Sequence, residues 1–356
     1  MLAVGDSVPW FVARSAITDQ FRFDARGGRW TVLGFFTSIG AEGAPGRAAL
    51  DSVLRLRDRF SDDATLFFGV TTDPQDERRA ALTGGYLRGR LFWDTQAVIS
   101  AAWKVPEGST TVAYLVDPRL TIQAVLCPER PEDLGDLVIQ ALDARPAPPE
   151  PFAITMQAPV LVRPGVFEPE LCRALIDHHT VQEAVAEGVM VNQGNQTQRV
   201  IDRKQKVRDD VLIADGELRA AVRTRLIERL LPEIRRAFQF QVSQIERYLI
   251  AAYDAEDGGH FNVHRDDTTK GTAHRKFAVS VNLNDGYGGG ALTFPEFGPA
   301  TYTPPAGGAV VFSCSLMHRA LPVTAGRRYV FVPFLYDEAG AKVREQNLQF
   351  VAKEAG

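Results

Sequence analysis

Three side chains in the C-terminal half of this sequence have the types and spacing to hold a metal ion. His264 and Asp266 stand two apart in Phe261-Asn-Val-His264-Arg-Asp266, and His318 follows much later in Met317-His318. In an extended segment, side chains two apart point the same way, so an imidazole and a carboxylate can reach one point. A third ligand must then come from another strand. His318, just after the strand-like run Ala309-Val-Val-Phe312, is placed to supply it. Two histidines and one carboxylate on one face of an octahedral ion leave three positions open, which suits ferrous iron binding a bidentate co-substrate together with oxygen. Zinc hydrolysis is the competing use of the same ligands.

Arg328 separates these two chemistries. Ten residues after His318, on a neighbouring strand, its guanidinium can enter the same cavity and hold a carboxylate bidentately. A hydrolase has no particular need of that group. Arg327 adjoins it and is the rival for the same role. The remaining histidines read as ordinary residues: His178 and His179 as solvated positions at a helix end, His260 as out of phase with His264, and His274 as part of a polar loop. Cys314 reads as a small buried residue.

Tyr253, Phe261, His264-Arg-Asp266, Val281-Asn-Leu-Asn284, Gly289-Gly-Ala-Leu-Thr-Phe-Pro295, Pro305-Ala-Gly307, His318, Pro322-Val323, Gly326 and Arg328-Tyr329 form an ordered set. This set, over about residues 160 to 336, resembles the prolyl 4-hydroxylase-type iron(II)/2-oxoglutarate dioxygenases. The resemblance implies that His264, Asp266 and His318 bind Fe(2+), that Arg328 pairs with the distal carboxylate of 2-oxoglutarate, and that Tyr253 contacts that co-substrate. It implies O2 as the second co-substrate and succinate and CO2 as co-products. L-ascorbate (vitamin C) is implied as the reductant that keeps iron ferrous. The hydroxylated C–H bond would belong to a prolyl residue in a peptide or to a small amino-acid-like molecule. Ala291 departs from the family's pattern, which commonly has an acidic residue there. The retained Asp266 speaks against the halogenase variant, which gives up the carboxylate to admit halide.

The elements that must position these residues are legible from periodicity. From Gln244 onward the pattern has period two: Tyr248 to Tyr253 is a predicted strand, and Lys276 to Asn284 alternates with Phe277, Val279, Val281 and Leu283 on one face. With strands at Ala309 to Phe312 and Arg328 to Tyr336, the spacing predicts an antiparallel sandwich or barrel, and the resemblance specifies a double-stranded β-helix (jelly roll) with supporting helices. Glu217 to Phe240 is the longest helical pattern, which Pro232 should kink or divide. Gly188 to Asp210 is polar and basic and reads as a loop, with a lid as the sharper reading.

The first 143 residues alternate strand-like runs (Trp30 to Phe36, Thr65 to Val70, Leu91 to Trp93, Thr111 to Val116, Thr121 to Leu126) with helical patterns at Ala48 to Phe60, Asp76 to Leu82, Gln96 to Trp103 and Glu132 to Leu142. This is an α/β domain with a helix-covered sheet. Val4-Gly-Asp6-Ser-Val-Pro9, Phe35-Phe-Thr37 and Ala113-Tyr-Leu-Val-Asp117-Pro118 resemble the thioredoxin-like fold of peroxiredoxins. Where that family carries its peroxide-attacking cysteine, this chain has Ser38-Ile-Gly40-Ala-Glu42. Glycine offers no thiolate, so a redoxin domain without peroxidase activity is expected. Arg145-Pro-Ala-Pro-Pro-Glu-Pro151 cannot continue a helix and favours an extended spacer. The expected organisation is a redoxin domain at 1–144, a linker at 145–156 and an oxygenase domain at 157–356.

At 356 residues with 45% apolar composition, the chain can build two cores. A net charge of -4 gives no global reason to expect a nucleic-acid or membrane-surface partner. Three scattered cysteines form neither a disulfide framework nor a zinc cluster, so a reduced, cytoplasmic setting is expected. Oligomeric state has no sequence signal here. The other function class open to this chain is a binding or regulatory protein, in which a silent redoxin domain and a weakly active barrel recognise a partner together.

Overall fold

The structure is a computed structural model that describes residues 1–351 apart from 41, 110, 148, 149, 183, 184, 187, 195 and 215. The chain forms two compact units, residues 1–150 and 151–356. Pro148 and Pro149 of the proline-rich spacer lie outside the described residues.

In the first unit, Trp30–Phe36 is the central strand of a five-stranded sheet. It pairs in parallel with Thr65–Thr71, which pairs in parallel with Leu91–Trp93. On its other side Thr111–Val116 and then Ile122–Leu126 run antiparallel. Successive side chains of a strand face opposite sides. Accordingly Leu33 and Phe35 join one apolar cluster with Phe92, Trp103 and Tyr114, while Val32 and Phe36 join another with Leu50, Val53 and Val138. The predicted helix at 48–60 is Pro45–Leu54 followed by a 3-10 turn, Arg57–Arg59. The charged helix expected over Asp76 to Leu82 is only a 3-10 turn, Asp76–Arg78, and a short helix, Ala80–Thr83. The reason is Asp76, whose buried carboxylate accepts from Thr71 and from the N–H groups of Ile39 and Gly40, holding the segment inward.

Among the described residues the second unit has two large sheets and two two-stranded ribbons, Val189–Gln193 with Gln196–Val200 and Gly288–Gly289 with Val323–Ala325. The larger runs, in order, Gln244–Glu246, Phe334–Tyr336, Phe277–Asn282, Arg327–Phe331, Leu249–Asp254, Asp209–Leu212 and Val185–Ala186, with Ala309–Ser313 also pairing Phe277–Asn282. The smaller is Lys206–Val207, His260–His264, His318–Ala320, Leu292–Thr293 and Thr301–Tyr302. Every pairing in both is antiparallel.

One face of the larger sheet is covered by helices. Val222, Leu226, Leu230 and Ile234 recur every four residues and pack with Val279, Val281 and Leu283 from the Phe277–Asn282 strand and its end. The helical pattern is divided as expected near Pro232. Glu217–Arg225 leads into a π turn, Leu226–Leu230, and the chain resumes as Leu231–Phe238 with the proline in its first turn. Proline has no N–H and its ring crowds the carbonyl four residues back, and a widened turn relieves that crowding. The predicted 188–210 loop is instead largely strand: Val189–Gln193 and Gln196–Val200 form a hairpin, followed by Lys206–Val207 and Asp209–Leu212. The hairpin is a two-stranded ribbon apart from the main sheets, while Lys206–Val207 joins the smaller sheet and Asp209–Leu212 the larger.

Candidate metal centre

His264 ends the His260–His264 strand and His318 begins the His318–Ala320 strand, and the register places His264 directly opposite His318. Asp266 follows just beyond, its N–H bonded to the carbonyl of Cys314 at 2.9 Å. The imidazole centroids are 4.2 Å apart. Asp266 Oδ1 lies 3.5 Å from His264 Nε2, and Oδ2 lies 3.4 Å from His318 Nε2. The three ligating atoms all fall within 4.8 Å of one another.

Each ring is oriented from behind. His264 Nδ1 is 2.7 Å from the Asn262 carbonyl and His318 Nδ1 is 3.0 Å from the Leu316 carbonyl. A carbonyl can only accept, so the ring proton sits on Nδ1, and each Nε2 keeps its lone pair free for a metal ion. Phe261 stacks on His264 at 3.5 Å between centroids. Burial drives the His318 imidazole down to about 4, so it is neutral near pH 7. Burial alone would raise the Asp266 carboxyl, but the adjacent imidazoles of His318 and His264 bring it well below its ordinary value. Two imidazoles and one carboxylate converging on one point fit a divalent ion of intermediate softness such as ferrous iron.

The triad opens on a cavity of 480 Å³ between the two sheets, lined by Ala278, Ser280 and Val330 on one side and by Phe261, Leu292 and Ala320 on the other. Arg328 is buried in its wall, 3% exposed. Among the described residues its guanidinium has only neutral partners: Asn282 Oδ1 at 2.8 and 3.2 Å, the Gly290 carbonyl at 2.8 Å and Ser280 Oγ at 3.4 Å. Gly290 takes a φ of 67°, and a Cβ there would stand 3.0 Å from Arg328 Cδ, so glycine is what lets the carbonyl approach. Arg327 points away, to Asp209 at 3.0 Å and Asp254 at 3.6 Å. Successive residues on a strand face opposite sides, which decides between the two arginines for entry to this cavity.

Residues 244–336 match the family model described as the 2OG-Fe(II) oxygenase superfamily. The cofactors of that superfamily are ferrous iron and 2-oxoglutarate, and this oxygenase segment contains the whole His264, Asp266, His318 and Arg328 set. A PKHD-type hydroxylase of Thioalkalivibrio sulfidiphilus is 30% identical over 135 residues, covering 35% of this chain and 58% of the relative. The chain thus spans little more than half the length of that relative. Among solved structures, a Pseudomonas putida prolyl-4-hydroxylase aligns over 51% of this chain and 94% of its own at 18% identity and a TM-score of 0.40. A peroxidoxin of Mycobacterium tuberculosis aligns over 41% of this chain and 100% of its own at 19% identity and a TM-score of 0.35.

Tyr253, in the oxygenase segment, pairs opposite Arg328 on the adjacent strand and is buried. Sequence reading missed several residues around the cavity. Ser280 and Asn282 lie on the polar face of a strand whose apolar face was the one read, and that alternation carried the signal. Tyr287 supports Asn282 with a 3.0 Å hydrogen bond. Arg208 and Arg275 line the cavity as well.

Two histidines read as solvent-facing or loop residues are in fact buried. His179 packs edge-on to Tyr329 and its Nε2 lies 3.3 Å from the Asp209 carbonyl. His274 is 2.6 Å from Glu246, which Arg275 also holds at 2.8 Å. In both cases the partner comes from a strand remote in sequence. His260 has its ring nitrogens 2.7 Å from the Gly258 carbonyl and 3.2 Å from the Lys204 carbonyl and stays outside the triad.

Proposed function

We propose that the second unit is an iron(II)- and 2-oxoglutarate-dependent hydroxylase built on a double-stranded β-helix. The observation that carries this reading is the convergence of three ready donor atoms on a cavity whose wall holds a guanidinium satisfied only by neutral groups. His264, Asp266 and His318 would hold the iron. When bound, that ion would supply the redox chemistry that divides O2, one oxygen atom going to 2-oxoglutarate as it loses CO2 to become succinate and the other into a C–H bond that becomes C–OH.

The chain's own residues do the rest. Arg328 takes the distal carboxylate of 2-oxoglutarate bidentately, aimed by Asn282 and the Gly290 carbonyl, and Tyr253 contacts the same co-substrate. The Nδ1 contacts of both histidines fix which ring nitrogen faces the cavity. The substrate is a prolyl residue in a peptide or a small amino-acid-like molecule, and hydroxylation as the reaction is supported by the name of the PKHD-type relative. Ascorbate serves as the reductant of idle turnover.

The first unit is a thioredoxin-like redoxin domain without peroxidase activity. Its support is the crowding at Gly40, where an added Cβ would meet Arg79 Cδ at 2.2 Å and Asp76 Oδ1 at 2.8 Å.

The test is succinate release from 2-oxoglutarate with iron and oxygen, which His264→Ala should abolish. Outer-layer changes at such centres cost ~10–100-fold, so loss of a ligand costs at least that. A wild type that binds iron yet releases no succinate would sink this reading in favour of a binding or regulatory role.

A further inference from the structure

Tyr253 stands between two arginines. Arg328 is opposite it on one neighbouring strand. Arg208 is in line with it on the other, because Asp209 pairs with Ala252 and Arg208 directly precedes Asp209. The two guanidinium carbons are 5.8 and 5.9 Å from the Tyr253 ring, and all three residues line the cavity. Arg208 is fixed from behind by Asp210, with Nη2 2.9 Å from Oδ2, and its side chain is only 7% exposed. Its Nη1 lies 3.2 Å from the Tyr253 hydroxyl oxygen.

A guanidinium only donates, so the Tyr253 oxygen is the acceptor in that bond and its own proton must go elsewhere. Among the described residues the hydroxyl has no acceptor, while the cavity lies in front of it. We propose that Arg208 is a positioning residue that commits the Tyr253 hydroxyl to donate to a carboxylate oxygen of 2-oxoglutarate. The positive charge behind the phenol polarises its O–H, and a chain of hydrogen bonds that ends on an anion strengthens each member. Asp210 holds the guanidinium in place before the co-substrate arrives, so little ordering is left for binding to do. This inference rests on the oxygenase reading above.

The test is calorimetric titration of 2-oxoglutarate into the full chain loaded with Mn(II), where no turnover intervenes. Tyr253→Phe should weaken binding about tenfold, the loss of one hydrogen bond to a charged group. Arg208→Lys keeps the charge beside Asp210 but lacks the fork that spans to the hydroxyl, so it should weaken 2-oxoglutarate binding by a similar factor while Mn(II) affinity is unchanged. The double variant should be no weaker than Tyr253→Phe alone, because both changes remove one bond. Arg208→Lys binding like wild type, or two effects that multiply, overturns the proposal. Adding 2-oxoglutarate to the wild type should also give a tyrosine absorption difference missing from Tyr253→Phe, which reads the same bond with Arg208 intact, and its absence counts equally against the proposal. A wild type that binds Mn(II) but not 2-oxoglutarate sinks the oxygenase reading along with it.

Discussion

The polar cluster at Gly40 in the first unit and the triad in the second answer one physical question in opposite ways. At Gly40 every polar group has found another: Asp76 takes the Ile39 and Gly40 N–H groups, the Thr71 hydroxyl and the Arg79 guanidinium, and Ser38 bonds Asp73. Among the described residues none of these groups is left pointing at a ligand, and a Cβ at Gly40 would already meet Arg79 and Asp76. At the triad, three ligating atoms face one another and Arg328 has no carboxylate among the described residues, all around a cavity of 480 Å³. A site is recognised less by having polar residues than by having polar residues whose partners are missing.

The largest effect that can break this contrast is at Arg328. Arg328→Gln should weaken 2-oxoglutarate binding about a hundredfold, the scale of losing a bidentate charged contact, while Arg327→Gln, facing Asp209 and Asp254, should change it less than about twofold. Comparable losses in both variants would mean that the cavity-facing arginine does not act as the anchor.

Glu246 tests whether a filled polar cluster can sit beside an open site. It would be raised by burial, but the His274 hydrogen bond and Arg275 pull it down to about 2. A carboxyl lowered on folding contributes stability above its unfolded pKa of about 4.3, and that contribution is lost as pH falls through the folded value. Unfolding followed between pH 5 and 2 should therefore show stability falling with acid, and Glu246→Gln should flatten that slope and cost roughly 3 kcal/mol at pH 7. An unchanged slope would show that the cluster does not hold Glu246 ionised.

Gly40→Cys sharpens the other half of the comparison. A side chain forced against Arg79 and Asp76 should destabilise the chain by about 1–3 kcal/mol, and peroxide consumption should stay at background. Gain of a peroxide-reactive thiol would show that the position is open after all. The smallest effect is expected at Cys127, exposed and against Met1, where Cys127→Ser should change stability by less than about 0.5 kcal/mol. A measurable loss in a melting experiment would assign it a structural part.

Much of the triad was legible in the sequence because its spacing follows from strand geometry. His264 and Asp266 two apart, and a histidine and an arginine on later strands, is a pattern that period two makes readable. What was not legible depends on contacts between distant segments. Nothing near His179 in sequence announces Tyr329, and nothing near His274 announces Glu246. The 189–200 hairpin escaped because neither strand alternates: Val189, Met190 and Val191 run together and Gln196 to Arg199 is continuously polar, which leaves no period of two to read. Arg208 was visible only as one cation in a basic run; its role depends on lying in line with Tyr253, which is a property of the sheet.

The direct pairing of His264 with His318 ties ion capture to strand alignment. A slip of one residue between those strands would turn one imidazole to the opposite side, and the grip would be gone. An ion held by both rings therefore recognises a single alignment of the smaller sheet and, by mass action, adds its binding free energy to that alignment over every shifted one. Metal in the growth medium would then act as a proofreader of how this sheet closes, before any chemistry is done.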